Sequence, residues 1–186
     1  MKRPQGQLRI IGGQWRSRRV EFDPDSGVRP TPDRVRQTLF DWLAPLINGA
    51  TCLDLFAGSG ALGLEALSRG ADRVCFVERG AAQLASLRAA TQMLDAGARA
   101  RLVGGDALGF LAQDTERYDV VFVDPPYDAA LLPQVLAALP AHLKTMHRVY
   151  CEWRGAAAPE WPPGWTVLKE KRAGQVSYAL VCYTGQ

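Results

Sequence analysis

The sequence has little of what would mark a membrane, secreted or metal-dependent protein. No apolar run approaches the roughly 20 residues that a membrane-spanning helix needs. The opening Met1-Lys2-Arg3-Pro4-Gln5-Gly6-Gln7 lacks the apolar core of a secretory leader, so a cytoplasmic protein is expected. The cysteines Cys52, Cys75, Cys151 and Cys182 are scattered through apolar stretches and form no CxxC pair. They read as buried thiols in a reducing compartment, not as a disulfide framework. A zinc site needs clustered ligands, and His142 and His147, which flank what reads as a loop, have no Cys or carboxylate pattern around them. No metal is expected. Internal repeats and low-complexity segments are absent too, and 186 residues suffice for one hydrophobic core.

What is present begins with an uneven charge distribution. Residues 1–40 hold nine Lys or Arg against four acids, a local +5 in a chain of formal net charge +3. A basic arm on a near-neutral body is a plausible footprint for a phosphate backbone. Within it, Leu8-Arg9-Ile10-Ile11 and Arg18-Arg19-Val20-Glu21-Phe22 are β-prone runs around Gly12-Gly13, which predicts a hairpin. The reading separates a basic arm over 1–28 from a main domain over 29–186. Pro30 and Pro32 break the chain before a helix near Arg34, with Thr31 or Asp33 as its cap.

From residue 50 the pattern alternates. Strands are expected at 51–56, 73–78, 100–105, 118–123 and 149–153, with helices at 61–68, 81–94, 108–113 and 131–139 between them. Such βαβ units form a mostly parallel, doubly wound sheet with helices on both faces. Two last strands, 166–171 and 176–183, are joined by about four residues around Gly174, so they must be antiparallel.

Ligands of such sheets bind beyond the carboxyl ends of the strands. There the turn Gly58-Ser59-Gly60-Ala61-Leu62-Gly63 follows the first strand of the alternation, and Glu78 ends the second, placed to accept from ribose hydroxyls. Alone, this fits a dinucleotide as well as S-adenosylmethionine. Asp54-Leu55-Phe56-Ala57-Gly58-Ser59-Gly60, however, resembles the first motif of class I (Rossmann-like) methyltransferases, and Gly105-Asp106-Ala107 resembles their adenine-binding position.

Asp124-Pro125-Pro126-Tyr127 follows the fourth strand and should border the same crevice. Its prolines fix φ and remove two backbone donors, leaving rigid carbonyl acceptors. The exocyclic amine of a purine is a poor nucleophile because its lone pair is delocalised. Acceptors aimed at its N–H groups favour the pyramidal nitrogen that attacks a methyl group. Asp124 and the Pro125 carbonyl can supply that pair, and Tyr127 can stack on the base.

The whole pattern is similar to the RsmD family of bacterial methyltransferases, from about Leu8 to Tyr183. The resemblance is carried by Arg9-Ile10-Ile11-Gly12-Gly13 with Trp15-Arg16, Arg29-Pro30-Thr31 leading into Asp33-Arg34-Val35-Arg36, the segment Leu53–Gly70, Phe122–Tyr127 and Gly174-Gln175-Val176. It implies a class I fold, S-adenosylmethionine as methyl donor, and the N2 amino group of one guanine in 16S ribosomal RNA as acceptor. A partly assembled 30S subunit and a monomeric enzyme without metal are expected. Donor contacts fall to Asp54, Phe56, Ala57, Gly58, Ser59, Gly60, Glu78, Asp106 and Ala107, and catalysis to Asp124, Pro125, Pro126 and Tyr127. RNA contacts fall to Arg9, Arg16, Arg18, Arg19, Arg29, Arg34 and Arg36.

Rival readings are an adenine-N6 methyltransferase, which also uses D-P-P-Y, a non-catalytic nucleotide-binding RNA chaperone, and an NAD oxidoreductase with no visible proton donor. Charge reversal at Arg16 and Arg18 is expected to weaken RNA binding and to leave donor affinity alone. RNA affinity that stays unchanged at low salt, where phosphate contacts count most, contradicts the role given to the arm.

Overall fold

The computed structural model describes residues 6–23, 30–126 and 131–185. The boundary expected after residue 28 falls outside them, as do Arg29 and Tyr127. The N-terminal strands β1 (Gly6–Arg9) and β2 (Arg19–Phe22) pair antiparallel as the expected hairpin. Their connection is a long loop and not a two-residue turn, because it must reach the helix it docks on. Gly13 sits at φ +76°, and a Cβ there would lie 1.8 Å from the Ser68 carbonyl oxygen. Only glycine permits that approach.

Helix α1 (Asp33–Ile47) follows, with Pro32 at its cap position. The expected side-chain cap is absent because Asp33 is engaged by arginines instead, Arg9 at 2.8 Å and Arg36 at 2.6 Å. Then come β3 (Thr51–Asp54), α2 (Ala61–Ser68), β4 (Arg73–Glu78), α3 (Ala81–Met93), β5 (Ala100–Gly104), α4 (Ala107–Gln113), β6 (Tyr118–Val123) and α5 (Leu131–Ala138). The chain closes with β7 (Leu143–Arg154), β8 (Trp165–Ala173) and β9 (Val176–Tyr183). They form one sheet in the order β5-β4-β3-β6-β7-β9-β8. β3 to β7 are parallel, and β9 is antiparallel to both β7 and β8.

β7 starts six residues earlier than its expected start at 149. Its pairing with β6 is irregular between Tyr118 and Val120, and this hides the strand from period-two reading. His147 therefore lies inside a strand and not beside a loop. Its Nε2 accepts from the Tyr183 N–H at 2.9 Å, so Nδ1 carries the proton facing the Lys144 carbonyl at 2.7 Å. That is a structural role for a residue without an assigned one.

Strand alternation divides the core. Cys52, Val74, Phe76, Val120, Phe122 and Tyr150 pack with α1, α2 and α3 on one face. Leu53, Cys75, Val77, Val121, Val123 and Val149 pack with α4 and α5 on the other. Leu8, Ile10, Trp15, Val20 and Phe22 of the hairpin join the first cluster. No helix among the described residues is long and apolar enough to cross a membrane.

One buried acid joins hairpin, α1 and α2. Glu65 is 0% exposed, and its carboxylate accepts from Ile11 N at 2.9 Å, Gly12 N at 2.8 Å, Arg69 Nε at 2.7 Å and Arg36 Nη1 at 3.3 Å. Removing it strands two backbone donors and takes from the buried Arg36 guanidinium one of its two carboxylate partners. Glu65→Ala is therefore expected to cost about 3–5 kcal/mol in urea unfolding, and a loss below about 1 kcal/mol contradicts this account of the hairpin's docking.

Candidate active site

The turn after β3 threads between the two strands that flank it. Leu55 N–H donates to the Phe122 carbonyl of β6 at 3.1 Å, and Ala57 N–H to the Val77 carbonyl of β4 at 3.0 Å. Gly58 and Gly60 then take φ values of +52° and +80°, a region open to glycine at no steric cost. Gly60 is the N-cap of α2. Gly63, the third glycine, serves packing, since a Cβ there would meet the Phe76 ring at 2.2 Å. First-turn N–H groups of a helix lack partners within it. Here the Gly63 N–H finds Asp54 Oδ2 at 3.0 Å.

Asp54 is 3% exposed. Burial pushes its carboxyl up to about 7, against the Gly63 N–H and with help from the charge of Glu78. Glu78 shapes the turn directly, accepting the Gly58 N–H at 2.8 Å and the Gly80 N–H at 2.6 Å. Ala57 and Ser59 are buried and Phe56 half-buried. At the end of β5, Asp106 caps α4 by accepting the Gly109 N–H at 2.8 Å, and Ala107 is buried beneath it. A groove lined by Val103, Gly105, Asp106 and Phe110 continues along α4. The left-handed glycines, the strand-end Glu78 and the exposed Asp106 thus form a line across β3, β4 and β5 that fits a nucleoside-bearing donor.

Asp124 leaves β6 on the same rim. It is half-buried, Pro125 is buried and Pro126 is exposed. Burial first, then the charges of Glu152 and Asp54, raises the Asp124 carboxyl well above the usual carboxylate range. Glu152 is raised by its own burial, while the Tyr150 hydroxyl, donating to Oε2 at 2.7 Å, opposes the shift. Sequence reasoning missed Glu152 and Tyr150. The signal was a lone acid in the otherwise apolar run Val149-Tyr150-Cys151-Glu152-Trp153.

The arginines divide. Arg9, Arg16, Arg18, Arg19 and Arg34 are exposed, Arg9 on Asp33 and Arg18 on the Met93 carbonyl at 3.0 Å. Arg36 corrects the expectation that it grips phosphate, being 1% exposed. Its guanidinium is spent on Thr31 O, Arg9 O, Asp33 and Glu65. Burial lowers its pKa, and Glu65 and Asp33 push back.

A family model described as Conserved hypothetical protein 95 matches residues 8–182. The chain is 46% identical to Ribosomal RNA small subunit methyltransferase D of Escherichia coli strain K12, over 97% of this chain and 94% of that one. It is 42% identical to the protein of the same name from Haemophilus influenzae, over 94% and 93%. The solved structure of Escherichia coli yhhF superposes with a TM-score of 0.89 at 46% identity, covering 97% of this chain and all of that one.

Folding raises the Asp54 pKa, so its ionisation costs stability as pH climbs from the ordinary 3.8 through about 7. Asp54→Asn keeps an oxygen for Gly63 and removes the charge. The unliganded variant is expected to lose less stability over that window than the parent, as read by urea midpoints. Parallel pH profiles for the two proteins contradict the assignment.

Proposed function

The chain belongs to the RsmD family of S-adenosylmethionine-dependent methyltransferases, and we propose that it methylates the N2 amino group of a guanine in 16S ribosomal RNA. The observation that carries the reading is adjacency. β3, which feeds the glycine turn, and β6, which feeds Asp124-Pro125-Pro126, are neighbouring parallel strands whose ends are tied by the Leu55–Phe122 hydrogen bond. Donor cradle and amine acceptors therefore open on one crevice.

The donor supplies a methyl group on a sulfonium sulfur, which keeps the electron pair of the broken S–C bond. Gly58 and Gly60 would hold the turn around it in their left-handed conformation, Glu78 would accept from its ribose and Asp106 from its adenine amino group. Asp124 Oδ and the Pro125 carbonyl accept the two N–H groups of the target amine, turning its lone pair toward the methyl carbon. As the N–C bond forms, positive charge grows on that nitrogen, and the fixed acceptors stabilise it. One amine proton then passes to the Asp124 carboxylate, whose proton affinity burial and the nearby acids have raised. Tyr127 completes the role set as a stacking surface for the base.

The charge of the arm supports an RNA acceptor. Arg9, Arg16, Arg18, Arg19 and Arg34, with Arg29, form the phosphate-facing set, and the target guanine must be unpaired or flipped to reach the crevice. A partly assembled 30S particle, a cytoplasmic location and a monomeric enzyme complete the proposal.

Asp124→Ala is expected to lower transfer of labelled methyl to 16S RNA by on the order of 10²–10³, with S-adenosylhomocysteine affinity in calorimetry within a few-fold of the parent. Undiminished turnover refutes the role of Asp124. Failure of the parent protein to bind S-adenosylhomocysteine refutes the donor cradle.

A further inference from the structure

Glu152 is a carboxylate that the reaction above does not use, yet it faces the same place as Asp124. β6 and β7 run parallel with Val121 opposite Val149, Phe122 opposite Tyr150 and Val123 opposite Cys151. One step further, Asp124 comes level with Glu152. Alternation puts both on the face that carries Phe122 and Tyr150, at strands about 4.8 Å apart. The charge of Glu152 acts on the Asp124 carboxyl accordingly.

Glu152 is 6% exposed and is held in place by its neighbour. The Tyr150 hydroxyl donates to Oε2, and no described residue donates to Oε1. Tyr150 thus locks one oxygen, and the other is an acceptor beside the amine site with no donor among the described residues.

We infer that Glu152 selects the target base, its free oxygen accepting the N1–H of guanine while Asp124 accepts from the adjacent N2 amino group. The inference rests on the reading of guanine N2 as the acceptor. Guanine presents N1–H and N2–H side by side, two donors that match two carboxylates. Adenine has an amino group next to a bare N1, whose lone pair would face Glu152 Oε1. 2-Aminopurine isolates the same contrast, because it has the N2 amino group of guanine and an unprotonated N1. A site built to receive a substrate N–H rejects the analogue that lacks it far more strongly than an apolar pocket rejects a change of shape. Glu152 touches the edge of the base and not the reacting nitrogen, which makes it a specificity-determining residue.

The test compares kcat/KM on small-subunit RNA carrying guanine at the mapped target with the same RNA carrying 2-aminopurine there. The parent protein is expected to prefer guanine by on the order of 10²-fold or more. Glu152→Gln, whose amide can donate to N1 as well as accept from N1–H, is expected to bring the ratio below about 10-fold, and Glu152→Asp to restore part of it. S-adenosylhomocysteine affinity within a few-fold of the parent shows that the variant sites are folded. A purely structural Glu152, acting through Tyr150, lowers both rates together. An unchanged ratio in Glu152→Gln, or a parent protein without the preference, overturns the inference while guanine methylation stands. A parent protein that leaves guanine unmethylated overturns the N2 reading and this inference with it.

Discussion

The Glu65 carboxylate has no exposed surface, and it accepts two backbone N–H groups of the hairpin loop and faces two guanidinium groups. An isolated buried charge of this kind is untenable, so its partners are obligatory. That requirement fixes the position of the hairpin on α2, draws α1 in through Arg36, and holds the exposed arginines of the arm on the face built around α2. The other end of α2 is the glycine turn. One helix of eight residues thus couples the basic surface at its C-terminal end to the proposed donor cradle at its N-terminal end. Ser68 adds to the anchor, accepting the Trp15 N–H and donating to the Gly12 carbonyl.

A second constraint is electrostatic. Asp54 ends β3, Asp124 follows the last residue of β6 and Glu152 lies near the end of β7, and on these neighbouring parallel strands all three fall on one side of the sheet. Burial raises the affinity of all three for protons, and the charges of Glu152 and Asp54 raise that of Asp124 further. A protein selected for stability alone gains nothing from that arrangement. It suits the proposed site, which would receive positive charge, first the sulfonium of the donor and then the amine as it is alkylated.

Much of this was legible beforehand, for physical reasons. Strands 73–78 and 118–123 and helix 61–68 fall where hydrophobic periodicity puts them, because each is bounded by glycine, proline or a charged end. D-L-F-A-G-S-G and D-P-P-Y are local motifs, so their chemistry travels with the sequence. What escaped was long-range. Nothing local says that Arg36 is buried while Arg34, two residues earlier, is exposed, because the difference is made by Glu65, 29 residues away. Glu152 acquires its meaning only from the β6–β7 register, which brings it level with an acid 28 positions earlier. The early start of β7 was hidden by an irregular pairing, and a period-two pattern cannot survive one.

The atom that receives the methyl group separates guanine-N2 transfer from the adenine-N6 alternative. The decisive measurement is nucleoside analysis of 16S ribosomal RNA from cells lacking the protein, incubated with purified protein and labelled S-adenosylmethionine, then digested completely. The expected product is labelled N2-methylguanosine as the single modified nucleoside. Label in N6-methyladenosine, or no label in the RNA, contradicts the account.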